Sequence, residues 1–269
     1  MTWEQALLLG ILQGLTEFLP VSSSGHLVIV PHLLRWPDPG LVMDTLLHLG
    51  TMLAIVAYFW RDIWGLIVAG WQGLRDRSFE APKTRLAWGV VLGTVPAALI
   101  GFLLEDLFER LFGMPRAAAG FLLGTAVLLL LSEYLARRAR DLSSISWRDA
   151  VLIGLAQTLA IAPGLSRSGS TIAAGLLLGY RREAATRFSF FLAVPIIMGS
   201  GLYQLLKVLT GTATVTTTWP IMILGFLAAA VTGYAAIAGL LAFVRRHNLW
   251  PFAAYCALLG LAVLTGMLG

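Results

Sequence analysis

Gln13-Gly-Leu-Thr-Glu17-Phe-Leu-Pro20-Val-Ser22-Ser23-Ser24-Gly25-His26 and Gln157-Thr-Leu-Ala-Ile-Ala-Pro163-Gly164-Leu-Ser166-Arg167-Ser168-Gly169-Ser170-Thr171 are polar islands inside two otherwise apolar regions, about 3 to 34 and 147 to 180. Neither region reads as one membrane-crossing helix. Pro20, and Pro163 with Gly164, stop the incoming helix by removing an amide donor and relaxing the backbone. Each half is then shorter than the roughly 20 residues needed to cross a hydrocarbon core about 30 Å thick. The spacing predicts helix, serine-rich turn, helix in both places. Gln13 and Glu17 lie one helical turn apart and so project from one face toward the same point.

Around these islands the chain is almost entirely membrane-like. Of 269 residues, 58% are hydrophobic and 12% charged, with a mean hydropathy of +0.82; soluble domains carry about twice that share of charge. Six uninterrupted apolar runs have spanning length: about 42 to 60, 86 to 104, 116 to 136, 188 to 208, 220 to 243 and 250 to 268. The net charge of +5 arises from basic residues clustered between those runs, the pattern of positively charged cytoplasmic loops, so nucleic acid is not an expected partner. Cys256 is alone, which excludes an intramolecular disulfide and a thiolate metal cluster. Met-Thr-Trp-Glu lacks the basic start of a cleaved signal peptide, so the first region is expected to stay in the mature chain.

The basic connections set the topology. Residues 61 to 85 carry Arg61, Arg75, Arg77, Lys83 and Arg85; 137 to 148 carry Arg137, Arg138, Arg140 and Arg148; 181 to 187 carry Arg181, Arg182 and Arg187. The alternate connections are poor in basic residues: 105 to 116 sets Glu105, Asp106 and Glu109 against Arg110 and Arg116, and 209 to 219 carries no charge. Since 137 to 148 and 181 to 187 are both basic yet flank region 147 to 180, that region is expected to enter the membrane and return on the same side. The same reasoning makes region 3 to 34 dip in from the opposite face.

A shift of 144 positions aligns Trp3 with Trp147, Ala6 with Ala150, Leu8 with Leu152, Gly10 with Gly154, Gln13 with Gln157, Leu15 with Leu159, Ser22 with Ser166, Ser24 with Ser168 and Gly25 with Gly169, nine identities in the 24 pairs from Trp3 to His26. One hairpin plus three spans per half is an odd number of crossings, so the halves 1 to 136 and 147 to 269 should be inverted repeats within one integral membrane domain. The expected fold is all-α and polytopic: six transmembrane helices and two re-entrant helical hairpins meeting near the midplane.

A serine-rich turn that opens a helix offers unpaired amides at a positive helix end, a receptacle for an anion, and two such turns would face one another. Arg167 adds a five-donor fork suited to phosphate and needs an anionic partner inside a membrane. Ser22, Ser23 and Ser24 are hydroxyl nucleophile candidates near His26 and Glu17. A base-activated hydroxyl beside an arginine is the minimum equipment for phosphoester or phosphoanhydride hydrolysis. Gln13 and Glu17 would alternatively hold a hard divalent cation. Gly164, Ser166, Ser168 and Thr171 complete the expected substrate-binding set. His32 and His48 read as satisfied bundle histidines, His247 as part of a basic turn, and Gln157 as an interhelical hydrogen-bonding residue.

The two motifs resemble those of the undecaprenyl-diphosphate phosphatase family, the bacitracin-resistance membrane phosphatases: Glu or Gln, three residues, Glu, then Pro-x-Ser-Ser-x-Gly-His; and Pro-Gly-x-Ser-Arg-Ser-Gly-x-Thr. The likeness extends to length, span number and the Phe59-Trp60-Arg61 exit of the first full span. It implies hydrolysis of a C55 polyprenyl diphosphate to the monophosphate and inorganic phosphate, recycling the lipid carrier for cell-wall synthesis. It further implies dependence on Mg²⁺ or Ca²⁺, and a site in the bacterial cytoplasmic (inner) membrane accessible from its outer face. Glu17, Ser23, His26 and Arg167 take the catalytic positions and Gln13 stands where many relatives carry glutamate, which leaves the carboxylate chemistry to Glu17. A polyprenyl-phosphate flippase or secondary transporter is the rival reading, because inverted repeats with broken helices are its usual architecture. A homodimer is left open.

Overall fold

The computed structural model describes residues 1–37, 39–211 and 217–267, including all their side chains except those of Glu105, Asp106, Phe108 and Glu109. The expected uncharged connection at 209 to 219 and the acidic one at 105 to 116 therefore fall partly outside the described atoms. The first apolar region forms α1 (Trp3–Phe18) and α2 (Ser23–Leu33), and the second forms α8 (Trp147–Leu159) and α9 (Arg167–Leu177), two helical hairpins broken at the predicted turns. Between them run α3 (Leu41–Tyr58), α4 (Trp60–Arg75), α5 (Pro82–Leu103), α6 (Glu105–Phe112) and α7 (Pro115–Leu135); α10 (Arg182–Leu209), α11 (Trp219–Val244) and α12 (Trp250–Leu264) follow. Among the described residues no strand forms, and the protein is all-α.

Local sequence accounts for the starts. Thr2 with Gln5 opens α1 and Ser146 with Asp149 opens α8, both as reciprocal capping boxes in which side chain and backbone satisfy each other's orphan groups. These pairs stand at the same 144-residue shift as the aligned motifs. Proline at the first turn starts α5, α7, α11 and α12, where its missing N–H has no intrahelical partner to lose.

Five helices, α3, α5, α7, α10 and α11, are long and apolar enough to cross a membrane, while α12 is apolar but has only 15 residues. The run expected at 250 to 268 is thus shorter as a helix than as an apolar stretch. Two connections are not loops. Residues 61 to 85, read as a basic loop, hold the 16-residue α4, and 105 to 116 hold α6. The span rule caused both misreadings, because it looks for uninterrupted apolarity and passes over an amphipathic helix.

Packing is reciprocal between the halves. The half-helix α1 lies against α11 and its counterpart α8 against α5; α3 lies against α11 and α10 against α5; α7 pairs with α12 and α3 with α10. Both half-helices make their closest approach at glycine. A Cβ on Gly10 would lie 2.4 Å from the Gly225 carbonyl oxygen, and one on Gly154 would lie 2.3 Å from that of Gly93. Such contacts let backbones approach where lipid supplies no hydrophobic drive for helix association. Gly10→Leu and Gly154→Leu should each destabilise the bundle by about 1–3 kcal/mol or more, the cost of forcing atoms into a packed crossing. Thermal melting in detergent would show it, with Gly120→Ala, where the new methyl meets nothing within 4 Å, unchanged.

The basic residues counted as loop charges also staple one end of the bundle. Buried Glu133 of α7 receives both arms of the Arg182 guanidinium at 2.7 Å and the Leu249 amide at 2.9 Å, tying α7 to α10 and to the turn before α12. Arg140 donates to Asp149 at 2.7 Å and stacks on Tyr180, itself bonded to Asp149 at 2.7 Å. Above these staples, Phe18, Phe59, Phe190 and Phe191 are buried in mutual ring contact. Phe18 is the residue after Glu17, so this apolar cluster begins next to that carboxylate in the chain.

Candidate active site

The two broken turns meet. Gly164 donates its amide to the Ser22 hydroxyl at 3.1 Å, and Ser168 donates its hydroxyl to the Leu19 carbonyl at 2.9 Å. Gly164 has φ +102°, and a Cβ there would lie 2.1 Å from the Ala118 carbonyl oxygen, so only glycine fits both the turn and the contact with α7. Thr125 of α7 braces the second turn from outside, donating to the Gly164 carbonyl and accepting from the Ser166 amide, each at 2.9 Å. Ser22 caps α2 by accepting from the Gly25 amide, and Ser166 caps α9 by accepting from that of Gly169. Ser22 does so at φ +68°, a conformation unusual for a residue with a side chain.

At the seam sits Glu17, 6% exposed. Ser23 donates its hydroxyl to Glu17 Oε2 at 2.5 Å, Gln13 donates its side-chain amide to the same oxygen at 3.0 Å, and Arg167 donates to Oε1 at 3.0 Å. The other guanidinium arm of Arg167 donates to the Ser189 carbonyl at 2.9 Å. Thr171 donates to the Ser189 hydroxyl at 2.7 Å. One carboxylate thus joins an amide from α1, a hydroxyl at the start of α2 and the guanidinium at the start of α9. These two helix starts also carry first-turn amides, Ser23 with Ser24 and Arg167 with Ser168, that have no intrahelical acceptor and add the positive ends of two helix dipoles.

His26 is held elsewhere. Its Nδ1 lies 2.7 Å from the Ser22 carbonyl, which can only accept, so this nitrogen carries the proton; Nε2 then accepts from the Tyr255 hydroxyl of α12, also at 2.7 Å. Both ring nitrogens are therefore engaged away from Ser23 and Glu17. Of the remaining expected residues, Ser22, Ser166 and Ser168 spend their hydroxyls on caps and on the bond between hairpins, and Ser24 lies 3.3 Å from the Ser22 hydroxyl. Gln157, the repeat partner of Gln13, is buried, and neither its side-chain oxygen nor its nitrogen finds a partner among the described residues.

Four contributors escaped the sequence reading. His48 of α3 brings Nε2 to 3.5 Å from Glu17 Oε2, its Nδ1–H donating to the Asp44 carbonyl at 2.8 Å. Ser189, Thr125 and Tyr255 lie within apolar helices, and only their tertiary contacts single them out. A polar residue in the middle of an apolar span was the one available signal for His48.

A cavity of about 720 Å³ opens at the end of the bundle opposite the basic staples, walled by Leu27, Pro31, Trp36 and Phe112, with Asp44 and Gln204 among its polar groups. Asp44 is the residue whose carbonyl holds His48. The cavity therefore lies one helical turn from a direct neighbour of Glu17.

Buried charge where the broken turns of two helical hairpins meet, set within apolar helices, defines a polytopic membrane protein with a polar centre. Residues 6–262 match the family model described as bacitracin resistance protein BacA, and the chain belongs to that family. It is 44% identical to a protein named undecaprenyl-diphosphatase from Thermomicrobium roseum over 268 residues, covering 97% of this chain and 96% of that one. A protein of the same name from Geotalea daltonii is 43% identical over 257 residues, with 95% of each chain covered. Another from a Mycobacterium species is 41% identical over 265 residues, covering 98% and 96%.

Proposed function

We propose that this chain is an integral membrane phosphatase that hydrolyses undecaprenyl diphosphate to undecaprenyl phosphate and inorganic phosphate. The observation that carries the reading is the Ser23–Glu17–Arg167 chain at the junction of the two hairpins: a nucleophile, its base and a phosphate-binding cation in continuous contact. The diphosphate enters from the cavity, its terminal phosphoryl group lying between the first turns of α2 and α9. Arg167 and the amides of those turns hold its non-bridging oxygens, where charge must be stabilised during transfer. Ser23 attacks the terminal phosphorus while its proton passes to Glu17, and the bond to the bridging oxygen breaks with release of the polyprenyl monophosphate. Glu17 hands that proton to the departing monophosphate and, ionised again, takes one from a water that attacks the phosphorus; the bond from phosphorus to the Ser23 oxygen breaks, the serine oxygen recovers the proton from Glu17, and inorganic phosphate leaves. Direct attack by water would use the same base and the same anion-binding groups.

In this scheme His26 shapes the turn: its bond to the Ser22 carbonyl and its stacking on Tyr255 fix the peptide that precedes Ser23. Tyr255→Phe should therefore lower kcat by about tenfold or less while leaving KM unchanged, since one neutral hydrogen bond contributes about 1 kcal/mol. The substrate's isoprenoid tail lies along the apolar cavity wall and out into lipid. With α12 as a sixth, short span, the cavity faces the outer side of the cytoplasmic membrane and the basic staples the inner side; the basic connections and the reciprocal packing of the halves support that reading.

A divalent cation fits the donor set in a limited way. Gln13 gives its amide N–H to Glu17, so its Oε1 is left buried without a partner among the described residues, an oxygen ligand beside a carboxylate. No group of three His, Cys, Asp or Glu side chains converges among the described residues. Gln13 and Glu17 would thus hold Mg²⁺ or Ca²⁺ together with phosphate oxygens, as hard cations at phosphate sites commonly are held. Bound there, the ion would neutralise phosphate charge. Gln13→Ala is expected to raise the cation concentration for half-maximal phosphate release by about 10-fold, and Gln13→Glu to lower it.

The deciding experiment is phosphate release from C55 diphosphate by the purified protein in sealed vesicles. The wild type should release phosphate from substrate in the leaflet facing the cavity, and Ser23→Ala should lose at least about 10³-fold of that rate. Absence of release by the wild type with either cation would remove the reading.

A further inference from the structure

We propose that α4 lies along the membrane surface at the basic end of the bundle and binds an anionic glycerophospholipid, the headgroup on Arg61 and Lys83 and one acyl chain in the groove beside Trp64. Three observations carry this. The first is orientation. Residues 65 to 73 of α4 meet the first two turns of α5, and the order does not run antiparallel: Lys83 lies over Gly65, Thr84 donates to the Ala69 carbonyl and packs on Gly73, and Trp88 donates to the Gly70 carbonyl. An antiparallel pair would climb α5 turn for turn, so α4 runs across the mouth of α5, in the membrane plane where α5 spans it.

The second is the outer face. Trp60, Trp64, Ile67, Trp71 and Leu74 recur at helical spacing and are all exposed, an indole-rich stripe of the kind that settles at the boundary between headgroups and acyl chains. At its start, Val56, Trp60, Ile63, Trp64 and Ile67 line a groove of about 410 Å³, open to the surroundings and shared between α3 and α4. The third is charge. Arg61 stacks over Trp60 at 5.1 Å, and the head of Lys83 reaches the helix at Gly65, four residues on and so on the same face. The nearby carboxylates Asp62 and Asp76 are already paired, with Arg187 and Arg75. Among the described residues Arg61 and Lys83 have no ion pair; Arg61 stacks on Trp60, which lines the apolar groove, and the Lys83 head lies over Gly65, the residue after groove-lining Trp64. A negative headgroup with an attached chain satisfies both features at once. Gly65 also acquires a reason, since a Cβ there would lie 2.2 Å from the Lys83 nitrogen.

The test is native mass spectrometry of the full-length protein equilibrated in detergent with equal amounts of phosphatidylglycerol and phosphatidylcholine. The wild type should retain phosphatidylglycerol preferentially, and Arg61→Gln with Lys83→Gln should reduce that retention about tenfold, from loss of two surface charges. Gly65→Leu, which displaces the Lys83 head, should give an intermediate loss. Arg181→Gln, which removes a basic head on another connection, should change nothing. Thermal melting of the same samples checks that the variants are folded; all the replaced heads are exposed. No preference in the wild type, equal retention by the double variant, or an equal loss in Arg181→Gln would overturn the proposal.

Discussion

Arg167→Ala is expected to abolish turnover, lowering kcat/KM for phosphate release by about 10³- to 10⁵-fold, the range seen when an arginine that stabilises phosphoryl transfer is lost. The geometry makes the loss double. Arg167 is the only guanidinium in contact with Glu17 among the described residues, so its removal takes away a phosphate-binding fork and also strands a buried carboxylate. A stranded charge costs about 3–5 kcal/mol, so the variant should also melt earlier. Arg167→Lys separates the two effects. A lysine restores charge but cannot reach Glu17 and the Ser189 carbonyl with one rigid fork, so stability should largely return while activity remains about 10²-fold down. Full activity in the lysine variant would show that only charge is required there.

Glu17→Gln is the second large effect. The amide keeps the shape and can still accept the Ser23 hydroxyl, but it cannot take up that proton, and a general base of this kind contributes about 10²- to 10⁴-fold. The loss should appear chiefly in kcat, because Glu17 contacts the attacking hydroxyl. Stability should fall as Arg167 loses its partner. Combining Glu17→Gln with Arg167→Met removes both charges, and that double variant should recover melting temperature while remaining inactive. Such a result would separate the pair's catalytic role from a purely structural one, since replacing a whole buried ion pair by apolar groups is close to neutral.

Much of this centre was legible in the residues. Pro20 and Pro163 located the breaks, the one-turn spacing of Gln13 and Glu17 put them on one face, and a lone arginine in an apolar region required some anionic partner, which in the structure is Glu17. The serines were legible as polar but not as to task. Ser22, Ser166 and Ser168 cap helices and link the hairpins, whereas Ser23 alone of the four reaches Glu17, and nothing in a run of three serines distinguishes the middle one. His48 was misread because a histidine in a span looks alike whether it faces a carboxylate or a neighbouring helix. The helix α4 was hidden by its charges: its apolar residues occupy one stripe, and an average over a spanning window dilutes them.

The sequence by itself determined the solvent, the long apolar helices and the break points. These depend on local chemistry, namely the length of apolar runs, the missing amide of proline, and the helix-opening preference of serine and threonine. Only the tertiary structure decided which groups share a point. Glu17 and Arg167 are 150 residues apart, and Gly164 and Ser22 are 142 apart, so their meeting depends on two helix crossings at Gly10 and Gly154 that admit no side chain. A hydrogen bond needs positions good to a fraction of an ångström, and that accuracy comes from packed backbones, which no local pattern of residues encodes.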